Sequence, residues 1–184
     1  IALSDKFTTD LDDLFRRKLL LHELFHVLTR NSIGFKRAMY STIGFTVTDE
    51  ELEYPADLKD MRISNPDVGR YDSYATFTVN GVPKKCAMLI YAKRPYDTGS
   101  FFNYIEIGFI PYDDNMKPVQ EDGATVRYSY DDIDDFFEKV GHNTMYVINP
   151  EEILADNFVI AFNNSSPVDT PTLRDSIRAL MTGE

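Results

Sequence analysis

The stretch His22-Glu23-Leu24-Phe25-His26 decides the reading of this chain, because it sits inside a run with helical spacing. Leu11, Leu14, Phe15, Lys18, Leu19, His22, Phe25 and His26 recur every three or four residues. On a helix, positions four apart lie one turn above each other, so His22 and His26 present two imidazoles on one face. Glu23 is offset by about 100° of helical rotation and can reach a water on a metal held by both histidines. The pattern H-E-x-x-H therefore points to metal-assisted hydrolysis, with zinc as Lewis acid and Glu23 as general base.

Around this segment the helix reads as follows. Thr9 or Asp10 serves as its cap, and Asp10, Asp12 and Asp13 complement the positive end of the helix dipole. Leu19-Leu20-Leu21 is apolar most of the way round, which predicts burial on several faces. Arg30 suits the C-terminal end, and Asn31-Ser32 closes the run. Upstream, residues 1–4 read as the end of a strand.

Downstream, a second helix is expected over 35–43, closed by Gly44. Residues 47–72 are polar and interrupted by Pro55 and Pro66, which predicts a surface excursion. Strands are expected over 74–79 and 86–92, joined through Asn80-Gly81, with a third over 101–112. Residues 131–140 read as an amphipathic helix ended by Gly141. Asn149-Pro150 opens another helix reaching about Phe162, with Asn as cap and Pro at the first position. A last helix spans 171–181. The order helix, β-rich middle, helices predicts an α+β fold.

With 184 residues, 43% hydrophobic and 27% charged, the chain has the size and balance of one globular domain. Its net charge of −11 argues against nucleic acid and anionic membrane surfaces as partners. It favours a basic peptide or protein substrate only weakly. No apolar run approaches the ~20 residues needed to span a bilayer. The one cysteine, Cys86, excludes an intrachain disulfide and a multi-cysteine zinc site. It reads as a buried inert thiol, and it leans toward a cytoplasmic setting without fixing one.

Two histidines leave a catalytic zinc site one protein ligand short. His142 is the only other histidine, but Glu152, in Glu152-Ile153-Leu154-Ala155-Asp156, is the stronger candidate. Asp156 follows it by one turn on the same face, placed to orient a ligand histidine through its outer N–H. Small Ala155 lets two helices approach. Glu151 competes for the same role but lacks an aspartate four residues later. Its bland reading, like that of Asp156, is helix capping and solvation.

The pair of motifs, H-E-x-x-H and E-x-x-A-D, resembles the gluzincin metallopeptidases, the thermolysin-like and related zincins. The strings HELFHVLTRN and NPEEILADNF are also similar to a group of bacterial zincin-like proteins of unassigned substrate. The resemblance implies His22, His26 and Glu152 as zinc ligands, Glu23 as the general base and Asp156 as the partner of a ligand histidine. It implies a zincin-like fold over 1–184, with an active-site helix, a second ligand helix and a β-rich insertion between them. Glu152 lies much further from His26 than thermolysin-like enzymes place the two elements. Those enzymes also carry a sheet before the active helix. Here the sheet is either built from residues 74–112 or supplied by an N-terminal portion outside this chain, which would then be a partner.

A peptidase also needs a donor for the developing oxyanion. Tyr146 and His142 precede the Glu152 helix and are the candidates. The acidic cluster Asp131-Asp132-Asp134-Asp135 lacks the spacing of a calcium loop and reads as a solvated helix face. The reading is thus a zinc-dependent hydrolase acting on peptide bonds. Its alternative is a non-catalytic zincin-like module that binds metal and serves interaction or regulation.

Overall fold

The computed structural model describes residues 12–95, 97–163 and 168–183. The expected strand at 1–4 and the cap at Thr9 or Asp10 lie outside the described residues. Helix α1 runs Asp13–Asn31, and the Asp12 carboxylate caps it by accepting from Phe15 N at 2.8 Å. Ser32 then serves two helices. Its backbone N–H closes α1 on the Leu28 carbonyl, while its hydroxyl accepts from Phe35 N to start α2, Ile33–Ser41.

A four-stranded antiparallel sheet follows in the order β1-β2-β3-β4. Its strands are β1 Phe45–Val47, β2 Ser73–Val79, β3 Val82–Ala92 and β4 Ile105–Pro111. Asn80 and Gly81 both have positive φ (48° and 78°), as a two-residue turn of this hand requires. A small hairpin, β5 Gln120–Glu121 and β6 Ala124–Thr125, leads to α3 Phe136–Val140, α4 Pro150–Phe162 and α5 Pro171–Thr182. The chain is thus a mixed helix-and-sheet protein. No described helix is long and apolar enough to cross a membrane.

Alternation along the strands splits the interior into two layers. Ala75, Phe77, Val79, Cys86, Met88 and Phe109 face the helices, where they meet Phe25, Phe136, Ile153, Leu154 and Phe158. Ala87, Leu89, Tyr91, Ile110 and Tyr112 face the other way, onto Leu52 and Leu58. Strand β3 is therefore buried on both sides, which explains the unbroken apolar run 86–91. Burial holds the Cys86 thiol up at about 12, so it stays protonated and inert, as expected.

Three expectations are corrected. Helix α1 is not buried on several faces: among its described residues only Phe25, His26 and Thr29 are buried, because it packs on α4 through one face. The segment 47–72 is not a mere surface excursion. Leu52 and Leu58 cover the second sheet face, Ile63 N donates to the Ile90 carbonyl, and Asp72 pairs with Lys36 at 2.5 Å in the interior. The helix expected over 131–140 shrinks to five residues because Ile133 bridges to Val79. Asp131 and Asp134 are exposed, as a solvated face would have them, while the run also holds backbone N–H groups. Asp135 accepts from Thr78 N, Asp134 from Gly81 N and Asp132 from Ser129 N, which staples the hairpin end to α3.

Gly108 shows how tightly the sheet is closed on its second face. A Cβ there would sit 2.9 Å from the ring of Tyr91, whose side chain is itself buried. Gly108→Val is therefore expected to cost about 1–3 kcal/mol through overpacking, read as a lower denaturant midpoint with an unchanged slope.

Candidate metal centre

Helix α4 is apolar almost all round, and ten of its thirteen residues are buried. Asn149 caps it by accepting from Glu152 N at 3.0 Å, and Pro150 takes the first position, where no N–H is needed. This start fixes which way the first turn faces, and it carries Glu151 and Glu152 into the interior, 3% and 2% exposed. An ionised carboxylate at such a depth must be paired. Both find their partners on α1.

His22 and His26 lie one turn apart with ring centroids 4.8 Å from each other. Their inner and outer nitrogens are engaged in parallel fashion. His22 Nδ1 is 3.1 Å from Asp156 Oδ1, and His26 Nδ1 is 3.0 Å from Glu151 Oε1. Each carboxylate engages Nδ1 of its histidine and so turns Nε2 inward, toward Glu152. Those two Nε2 atoms converge on Glu152 Oε2, at 3.1 Å from His22 and 3.9 Å from His26. Ligands at about 2.0 Å in a tetrahedron stand roughly 3.3 Å apart, whereas these three atoms lie within 4.8 Å of one another, so a small inward movement would be needed to seat one ion. They form the one cluster with ligand atoms close enough to share a cation among the described residues.

His26 Nε2 gives the sharpest sign. It is buried and has no hydrogen-bond partner among the described residues. A histidine placed in a core only for packing does not leave a ring nitrogen orphaned. A divalent cation would satisfy it, and two imidazoles with one carboxylate suit a borderline-soft ion.

Outer contacts pin this constellation. Glu151 accepts from Thr29 Oγ1 at 2.5 Å and from the Tyr40 hydroxyl at 2.7 Å in addition to His26. Burial, with the Glu151 charge beside it, holds the Tyr40 phenol well above its usual range, so it remains a donor. Asp156 accepts from Thr144 Oγ1 at 2.5 Å, and Glu152 Oε1 accepts from Asn65 Nδ2 at 2.6 Å. Asn65 thereby leaves Oε2 as the oxygen free for a cation.

The charges follow. Burial works against a proton on His22, but the hydrogen bonds from Asp156 and Glu152 outweigh it and raise its pKa to about 10. Burial likewise opposes ionising Glu152, yet His22, Asn65 and the nearby His26 hold its carboxyl below the usual range. The centre as it stands is accordingly an imidazolium held between two carboxylates.

A cleft of about 620 Å³ opens over the His22–Glu152 edge. Phe15, Leu19, Val159 and Ile160 supply its apolar wall, and Glu23, Asn65, Asp67 and Tyr146 its polar one. Glu23 is half-buried in this wall and receives no hydrogen bond from the described residues. Burial first, then the charges of Glu152, Asp156 and Asp67, raise the Tyr146 phenol, so it stays protonated. His142 is not among the residues that line the cleft. Its ring stacks on Phe137 at 5.0 Å, because Gly141 is pressed against Thr170 and His142 N donates to the Thr170 hydroxyl.

The structure thus brings together His22, His26, Glu152, Glu23, Asp156 and Tyr146, and leaves His142 apart. Sequence reasoning missed the role of Glu151 and did not name Asn65, Tyr40, Thr29 or Thr144. Glu151 is not a solvated capping residue but the buried partner of His26. Its signal was available: two adjacent acids in a helix otherwise apolar all round cannot both face solvent. Asn65 carried no such signal, since only the path of the 47–72 segment brings it to Glu152. No protein-family profile, curated protein sequence or solved structure matches the chain.

Two outcomes are expected. Glu151→Ala removes the orientation of His26 and lowers metal affinity by roughly 10–100-fold, measured by competition with a chromophoric chelator. In chelator-treated protein, the stability difference between wild type and His22→Gln is largest below the unfolded imidazole pKa of about 6.5. It fades as pH rises toward about 10, where His22 loses its proton, and urea midpoints across that range report it.

Proposed function

We propose that the chain is a zinc-dependent hydrolase of peptide bonds, with a zincin-type arrangement in which α1 and α4 carry the ligands. The observation that carries this reading is the orphaned, buried Nε2 of His26 beside His22 Nε2 and Glu152 Oε2. His22, His26 and Glu152 hold the ion. When bound, zinc supplies Lewis acidity, which polarises a carbonyl and makes water a stronger acid.

The remaining chemistry belongs to the chain. Glu23 borders the cleft next to His22, with no competing partner among the described residues, so its carboxylate is free to act as a base. It takes a proton from the attacking water and passes it to the leaving amine, as a single carboxylate can do in two steps. Tyr146 stays protonated and donates from the same cleft to the oxygen that gains charge. Asp156 and Glu151 keep the two imidazoles aligned and resist their rotation. The cleft's apolar wall and its acidic opposite side suit a peptide segment rather than a nucleotide or other anion.

Zinc-loaded wild type and variants, assayed on a mixed peptide library with mass-spectrometric readout, test the reading. Glu23→Gln is expected to keep one equivalent of zinc while hydrolysis falls by roughly 10²–10⁴-fold. Full activity in that variant overturns the assignment. Glu152→Ala is expected to lose zinc itself. Tyr146→Phe is expected to retain zinc and lower kcat by about 10²–10³-fold.

A further inference from the structure

A further pocket, of about 250 Å³, is lined by Tyr54, the 62–71 segment, strand β3 and the start of α4. Asn65 belongs to both cavities. The volume is below the ~300–1,000 Å³ of drug-sized sites, so any occupant is small.

Two polar atoms in its wall have no hydrogen-bond partner among the described residues, although both are buried: Asn149 Nδ2 and the Tyr54 hydroxyl. Asn149 is 5% exposed. Its Oδ1 is committed to the Glu152 N–H as the helix cap, so the atom left over is the amide donor. Burial, only partly offset by Arg62, raises the Tyr54 phenol to about 12, so it too carries a proton to donate. Arg62 stacks on the Tyr54 ring, with its guanidinium carbon 4.8 Å from the ring centroid, and makes no ion pair with a described residue. Ile63, Val68, Met88, Leu89 and Ile90 give the pocket its apolar surface, and Ser64, Asn65, Gly69 and Tyr71 complete the lining.

These observations combine into one chemical specification. Two unsatisfied buried donors and an exposed guanidinium line one chamber of mixed apolar and polar surface, at the positive end of a thirteen-residue helix. No described residue accepts from either donor. We propose that this pocket binds a small monocarboxylate with a short branched apolar tail, its carboxylate at Asn149, Tyr54 and Arg62 and its tail against Leu89 and Ile90. The carboxylate belongs either to a free acid or to the C-terminal residue of a peptide, and both present the same group.

Its neighbours give the pocket a consequence. Asn149 caps the backbone of Glu152 and Asn65 holds Glu152 Oε1, so an occupant rests on both residues that position this carboxylate. The binding itself does not depend on the metal or on hydrolysis.

The test is a titration of the full metal-free chain, followed by amide chemical shifts, with isovalerate, isovaleramide and N-acetylleucine as probes. Isovalerate is expected to saturate and to move the amides of Ser64, Asn65, Leu89 and Asn149. Isovaleramide, which has the same shape without the charge, is expected to bind at least roughly tenfold more weakly. Arg62→Gln alters an exposed side chain and is expected to weaken isovalerate by a similar factor, and Tyr54→Phe by several-fold. Binding of N-acetylleucine in place of isovalerate assigns the pocket to a peptide C-terminus and upholds the proposal. No saturable shift with either acid, equal binding of acid and amide, unchanged affinity in Arg62→Gln, or shifts confined to Glu23, Thr144 and Tyr146 would each overturn it.

Discussion

Two adjacent glutamates carried into the interior by the first turn of α4 set the terms for the rest of the structure. Glu151 and Glu152 are almost wholly shielded from water, and each buried carboxylate demands donors at hydrogen-bond distance. Glu151 is answered in full by His26, Thr29 and Tyr40. Glu152 is answered by Asn65 on one oxygen and shares the other with His22 and, more distantly, His26. Because these donors come from α1, α2 and the segment before β2, satisfying two side chains locks three separate parts of the chain against α4. A half-satisfied network of this kind would be worse than an apolar contact, which is why so many donors converge.

The same network shifts the charge states of its members. The raised pKa of His22 and the lowered one of Glu152 describe a proton recruited to stand where positive charge is wanted. His26 Nε2 has no hydrogen bond among the described residues, only the more distant Glu152 Oε2 at 3.9 Å. The outer contacts are built for rigidity: both histidines are held through Nδ1, and both holding carboxylates are themselves held by hydroxyls. Rigid support of this sort keeps ligand atoms within the narrow tolerance that metal binding and catalysis require.

The sheet contributes indirectly. Its helix-facing side supplies the floor on which α4 rests, and its other side is sealed by the 47–72 segment. That segment reads as polar and proline-broken, so sequence pattern marks it as a loop. In fact it anchors to β3, buries Leu52 and Leu58, and delivers Asn65 to Glu152 and Arg62 to the smaller pocket. Loop chemistry is set by path rather than by periodicity, and path is invisible to local patterns. The acidic run 131–135 illustrates the same limit. Its spacing suits a helix, yet capping of the hairpin's backbone N–H groups wins over helix formation there.

What the sequence determined by itself is whatever rests on short-range periodicity. The spacing of His22, Glu23 and His26 puts them on adjoining faces of one helix, Asn149-Pro150 starts a second helix, and Glu152 and Asp156 share a face of it. Asn80-Gly81 names its own turn. The tertiary structure alone decided which partners meet across long stretches of chain. It chose Asp156 for His22 and Glu151 for His26, brought in Asn65 and Tyr40, turned His142 away onto Phe137, and left Asn149 and Tyr54 with unused donors. The reason is physical. Helical faces are fixed by bonds within a turn or two, whereas the pairing of buried polar groups is fixed by the packing of whole elements, which no local segment encodes.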